Sequence, residues 1–161
     1  MATWRGSADT KDKIFAALVY LIPLYAAIPF GDYLLTQFPF LQLIMIPLIP
    51  VGIIYGLLPL GLGGLIVFFA LYLAVVRNNK ISHFIRYNAM QAIMLNIALS
   101  LLSLVFFRTG IFSALPIVIL TLQNVIFTVV LAICIYSIVQ SVRGLYAEIP
   151  NFSQFVYNQV P

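Results

Sequence analysis

The stretch Arg77-Asn78-Asn79-Lys80-Ile81-Ser82-His83-Phe84-Ile85-Arg86 carries three of the chain's eight lysines and arginines, and it separates two charge-free runs, Tyr33 to Val76 and Tyr87 to Phe107. Two more runs lack formal charge, Ile14 to Gly31 and Thr109 to Val142. A helix that crosses a bilayer needs about 20 apolar residues, so the runs read as membrane segments and the charged stretches as the loops that join them. Composition agrees: 63% of residues are hydrophobic and 7% charged, with a mean hydropathy of +1.11. Soluble domains carry roughly a quarter charged residues, so a water-soluble fold is excluded. A chain of 161 residues with several spans has no room for a separate soluble domain.

The number of spans turns on Tyr33 to Pro59, which holds Pro39, Pro47, Pro50 and Pro59. Proline removes a helical hydrogen bond and clashes with the preceding turn, so this part is expected to be a broken, interfacial or re-entrant segment. Leu60 to Val76 is proline-free and apolar and is expected to be the true span. Irregular backbone at membrane depth must be covered by protein or water, which places the proline segment near the interface or against partner helices. The positive-inside rule tests the choice independently. With four spans, Arg5, Lys11, Lys13, Arg77, Lys80, Arg86 and Arg143 fall on one side and Arg108 alone on the other. A fifth span would move Arg77, Lys80 and Arg86 opposite the N-terminal cluster. The expected fold is therefore all-α, an integral membrane four-helix bundle over residues 1–161, with spans at about 14–31, 60–76, 87–107 and 117–142 and the proline segment between the first two. The last span, roughly 26 residues long, implies tilt or protrusion. The tail from Gly144 to Pro161, with Tyr146, Phe152, Phe155 and Tyr157, is expected to lie along the membrane surface.

The net charge of +4 does not point to nucleic acid, because the basic residues sit in short clusters beside apolar runs, where they meet anionic headgroups. Arg77 and Lys80 are the candidate headgroup contacts. Cys134, the only cysteine, lies within an apolar run and reads as a packed small residue. Arg5, Lys11 and Lys13 precede an apolar run, as in a signal peptide, but Leu24-Tyr25-Ala26-Ala27-Ile28-Pro29 offers no small-x-small cleavage site, so the segment is read as retained.

Polar side chains within hydrocarbon are costly and are the natural functional candidates. The richest group crosses from the basic loop into the third span: Arg86, Asn88, Gln91 and, a turn further, Asn96. Asn88 and Gln91 are helical neighbours, and Asn96 lies about 80° round from Asn88, so the three share one broad face. That face either lines a polar path or meets a partner helix through its amides. From residue types alone the favoured reading is interhelical hydrogen bonding that fixes the bundle, at about 1 kcal/mol per contact. In the fourth span Gln123, Asn124, Thr128, Ser137, Gln140 and Ser141 scatter around the helix, which gives little support to a hydrophilic pore within one chain. Gly52 and Gly56 match GxxxG, and Gly61, Gly63 and Gly64 open the second span; these glycines either permit close backbone approach or, among the surrounding prolines, give flexibility at a loop. Asp32 and Arg108, on the far side, either pair or stay solvated. An enzyme is not expected. Asp9, Asp12, Asp32 and Glu148 all lie outside the spans, His83 is the sole histidine, and no set of catalytic or metal ligands is visible. No cofactor or metal is expected either.

The segment His83-Phe84-Ile85-Arg86-Tyr87-Asn88-Ala89-Met90-Gln91-Ala92-Ile93 resembles the signature of the Tic twenty family, the small membrane subunit of the chloroplast inner-envelope protein translocon. Further matches are Tyr33-Leu34-Leu35-Thr36-Gln37-Phe38-Pro39, Phe69-Ala70-Leu71-Tyr72-Leu73-Ala74-Val75-Val76-Arg77-Asn78 and Glu148-Ile149-Pro150. The resemblance implies a four-helix channel or scaffold component of a protein-translocating complex, with both termini on the stromal or cytoplasmic side. The implied partners are membrane lipid, other membrane subunits or further copies of the chain, and a translocating polypeptide. With no transit peptide visible, the expected source is a cyanobacterial or plastid-encoded member, or a mature form, in a cyanobacterial plasma membrane or plastid inner envelope. The competing class is a non-translocating membrane assembly factor or small-solute permease subunit.

Overall fold

A computed structural model describes residues 8–58, 63–108, 115–149 and 152–160, with the backbone alone for Phe152. The expected start of the second span at Leu60, together with Arg5, Pro59, Gly61 and Pro150, lies outside them. The described residues are helical throughout their regular elements. Helix α1 (Thr10–Leu18) starts at Asp9, whose carboxylate accepts from the Thr10 N–H at 2.7 Å. α2 (Leu21–Ala27) and a 3-10 turn (Ile28–Phe30) continue it, so that Thr10–Phe30 forms one apolar rod of 21 residues. The rod breaks its α-pattern at Val19 and Tyr20 because Pro23 has no N–H for the Val19 carbonyl and its ring crowds it. That carbonyl accepts from Ile22 instead, at 3.3 Å.

Short α3 (Asp32–Gln37) leads to a 3-10 helix (Pro39–Ile44) and α4 (Met45–Leu57). Here the backbone is more regular than the prolines alone imply. Pro39 opens the 3-10 helix and Pro47 falls in the first turn of α4, where N–H groups have no partner within that helix. Only Pro50 sits in the interior. Pro39–Leu57 is thus 19 residues of continuous helix, long and apolar enough to cross a membrane, while Gly63–Val76 is shorter. The latter comprises α5 (Gly63–Leu71) and a π-helical turn (Tyr72–Val76). Two long helices follow, α6 (His83–Arg108) and α7 (Pro116–Arg143), then the tail with α8 (Phe152–Gln159).

The chain nevertheless makes four passes between two ends. At one end the Lys13 side chain lies over Gly144, the Val76 carbonyl meets Arg86 at 2.8 Å and His83 meets Tyr146 at 3.0 Å. At the other, the Phe30 ring packs on Phe106 and Phe107 with centroids 5.9 and 5.3 Å apart. α4 and α5 share the second pass. α4 packs on α2, with Tyr55 and Tyr25 centroids 5.2 Å apart, and α5 begins against the backbone of Tyr55, where a Cβ on Gly63 would stand 2.9 Å from the Tyr55 oxygen. That junction lies at the level of Tyr25, five residues or about 7.5 Å below Phe30, and from there α5 descends to the basic end.

The first pass packs against α6, α7 and α4. Its core gathers Leu24, Ala27, Phe30, Leu48, Leu99, Phe127 and Cys134, so Cys134 is the packed small residue expected. Gly31 lies directly beneath the Phe127 ring. Of the GxxxG pair, Gly52 lies under the Tyr25 ring, whereas nothing stands within 4 Å of a Cβ on Gly56. Because Gly31 meets Phe127, eleven residues into α7, the start of α7 overshoots the first pass by roughly 16 Å, and Ile117 there is 79% exposed. α7 ends at Gly144, whose positive φ of 77° turns its own and the Leu145 N–H back onto the last carbonyls. Outward faces such as Ile14, Phe15 and Leu18 on α1 and Leu101 and Leu104 on α6 are exposed and apolar, the surface that lipid covers.

Candidate functional site

From Arg86 to Ile93, two turns of α6 are buried on every side. That is the pattern of a helix enclosed by protein. The N–H and C=O groups here are satisfied within the helix, but the amides of Asn88 and Gln91, at 0% exposure, need partners, because an unpaired polar group in low dielectric costs several kcal/mol by order of magnitude.

Tyr20 supplies the first. The kink at Pro23 leaves it wholly buried, and its hydroxyl, 2.8 Å from Asn88 Oδ1 and 3.2 Å from Gln91 Oε1, donates between the two. Ser141 of α7 donates to the same Asn88 Oδ1 at 3.1 Å. The Asn88 Nδ2 group donates to the Phe84 carbonyl one turn back at 2.8 Å, and Gln91 Nε2 donates to the Ala147 carbonyl in the tail at 3.1 Å. One asparagine oxygen therefore joins the first pass, α6 and α7, and its neighbouring glutamine adds the C-terminal tail.

The other two expected residues point elsewhere. Arg86, 5% exposed, donates from Nε to the Val76 carbonyl at the end of the π turn. A cation placed against the last carbonyls of a helix is favoured by the helix dipole. Its Nη2 is buried with no hydrogen-bond partner among the described residues. Asn96 borders a side-opening groove of about 310 Å³ between α5 and α6, lined chiefly by Gly64, Leu65, Phe68, Ile97 and Leu101. The face expected to carry three amides is thus split: Asn88 and Gln91 turn toward Tyr20, and Asn96 toward α5.

Residue types alone missed Tyr20 and Ser141. A tyrosine hydroxyl in the middle of an apolar run was the available signal, since it needs a partner at that depth. In α7, Ser137 and Ser141 are both fully buried and continue the inward line of Phe127, Val130 and Cys134, so two of the scattered polar residues share one face. The tail packs across the basic end. The Tyr146 and Tyr157 rings lie 4.9 and 4.7 Å from Tyr87, and the Tyr157 hydroxyl donates to Glu148 Oε1 at 3.3 Å. Partial burial first, then the neighbouring Tyr87 and Glu148, hold the Tyr157 phenol above its ordinary pKa, so it remains a neutral donor. Among the described residues no three His, Cys, Asp or Glu side chains gather. What this region offers is hydrogen bonding by amides and hydroxyls. Asp32 and Arg108 stand in the first turn of α3 and the last turn of α6, each at the end of its own helix that suits its charge.

Four apolar passes clamped by buried amides define a polytopic helical membrane protein. The family model described as "Chloroplast import apparatus Tic20-like" matches residues 10–155, and the chain belongs to that family. It is 48% identical to a Tic20 family protein of Synechocystis sp., with 96% of each chain covered. It is 31% identical to the chloroplastic protein TIC 20-v of Arabidopsis thaliana, covering 96% of this chain and 73% of the relative. Identity to the Tic20 family protein Ycf60 of Porphyra purpurea is 32%, with 96% of this chain and 80% of the relative covered.

Proposed function

We propose that this chain is a membrane-embedded subunit of a protein-translocating complex, in a cyanobacterial plasma membrane or a plastid inner envelope, with both termini on the cytoplasmic or stromal side. The observation that carries the proposal is the match to an import-apparatus family over residues 10–155, which takes in all four passes. The orientation draws support from the gathering of Lys13, Arg77, Arg86 and Arg143 at one end of the bundle, following the positive-inside rule.

Within this reading Asn88 and Gln91 hold the bundle. Their amides are spent on Tyr20, Ser141, Phe84 and Ala147, and opening a path along them would strand several of these groups. The route for a polypeptide is therefore completed with other subunits or copies, and Asn96, beside the groove between α5 and α6, is the polar residue best placed to meet them. Purification of the tagged chain in mild detergent from membranes loaded with a stalled precursor tests the proposal. The precursor and further membrane subunits are expected to co-purify. Recovery of membrane proteins without any precursor, under conditions that preserve the fold, would overturn translocation in favour of an assembly factor or permease subunit.

A further inference from the structure

A second polar site lies at the basic end, apart from the amide cluster. A pocket of about 400 Å³ opens between the π turn and α8, lined by Tyr72, Arg77, Asn79, Asn158 and Gln159. Among the described lining residues Arg77 brings the one full charge, and the three amides add neutral N–H donors. Among the described residues none in the lining is acidic, a composition that suits an anion. Lys80 is not part of it: its backbone N–H bonds to Asn78 Oδ1 at 3.0 Å and fixes the turn that follows Arg77.

The position of the pocket selects the anion. Arg77 is the first residue after the apolar helix Gly63–Val76, the point at which the chain leaves hydrocarbon for the headgroup layer. On the same helix as Tyr72, Leu73 is 61% and Phe69 49% exposed, which leaves apolar surface beside the lining residues. α8 forms the opposite wall. Val156 and Val160 pack into the cluster around Val76 and Tyr87, while Phe155 faces outward as an interfacial aromatic. We propose that this pocket binds the phosphate of an anionic phospholipid. Arg77 pairs with the phosphate oxygens, Asn79, Asn158 and Gln159 complete the donor set, and the acyl chains run along Leu73 and Phe69. The volume lies within the range of about 300–1,000 Å³ common to small-molecule sites. The binding also ties the tail to the second pass, because its donors come from both.

Native mass spectrometry of the full chain in mild detergent, titrated with phosphatidylglycerol, tests the site. Wild type is expected to bind one lipid preferentially, Arg77→Gln to bind it roughly tenfold more weakly, and Asn158→Ala/Gln159→Ala to fall between them. Arg143→Gln, which alters the same end of the bundle outside the pocket, is expected to match wild type. Arg77 is exposed, so its variant should keep the wild-type melting temperature. Equal binding by Arg77→Gln and wild type, or an equal loss in Arg143→Gln, would overturn the proposal. Glycerol 1-phosphate, which lacks acyl chains, is expected to compete poorly. If it binds as tightly as the lipid, the site serves a soluble phosphate and the lipid assignment fails.

Discussion

Replacing Asn88 with leucine is expected to destabilise the bundle by about 2 kcal/mol and to lower its yield from membranes. The substitution keeps the number and branching of the side-chain heavy atoms, so the effect reads chiefly the hydrogen bonds. Ser141 loses its acceptor outright, and Tyr20 keeps only the longer contact to Gln91, at 3.2 Å. A buried hydroxyl left without a partner costs about 1–3 kcal/mol in water-soluble proteins, but interhelical bonds measured within membranes average only about 0.6 kcal/mol, because the unfolded chain in lipid also finds partners. The expected value lies between these limits. Thermal or SDS-driven unfolding in detergent measures it. Tyr20→Phe, which removes one hydroxyl and leaves the ring, is the milder companion in case the leucine variant fails to insert. A wild-type transition in both would mean that the cluster holds nothing together.

The second large effect is expected at Gly31. A Cβ there would stand 2.5 to 2.6 Å from three carbons of the Phe127 ring, closer than packed atoms approach. Its φ of −93° is open to any residue, so the penalty is steric and centres on the Phe127 ring. Gly31→Val should cost about 1–3 kcal/mol as overpacking, through a shift of α7 away from the first pass. Because the closest contacts all belong to Phe127, Phe127→Leu should restore part of the loss in the double variant, as coupling between contacting residues requires. Two losses that simply add would show that the helices do not meet at this point.

How much of this was legible in the sequence differs from element to element. The four passes and the shared basic end follow from where eight lysines and arginines stand, and that signal survives any detail of helix geometry. The prolines misled in part. Counting them predicts a broken segment, whereas their cost depends on register: Pro39 and Pro47 fall where a helix has N–H groups to spare, and only Pro50 does not. Pro23 breaks the first pass and accompanies the burial of Tyr20, an effect that charge counting along the chain does not carry. For the site, helical spacing correctly made neighbours of Asn88 and Gln91. It failed at Asn96, because an 80° sector is wide enough for two different helices to pack against, and spacing on one helix says nothing of what lies opposite. Tyr20 and Ser141 stand 68 and 53 residues from Asn88, beyond the reach of any local pattern.

In the proposed role, a translocating polypeptide passes outside the Asn88 cluster, along surfaces that this chain shares with its neighbours. Site-specific photo-crosslinking during arrested translocation tests it most directly, with the probe placed in turn at Asn96, Leu101 and Gln91. Adducts with the transiting chain or a neighbouring subunit are expected from Asn96 and Leu101, and adducts only within the chain from Gln91. Strong labelling of the transiting polypeptide from Gln91, with none from Asn96 or Leu101, would contradict it and return the buried amides to the wall of the path.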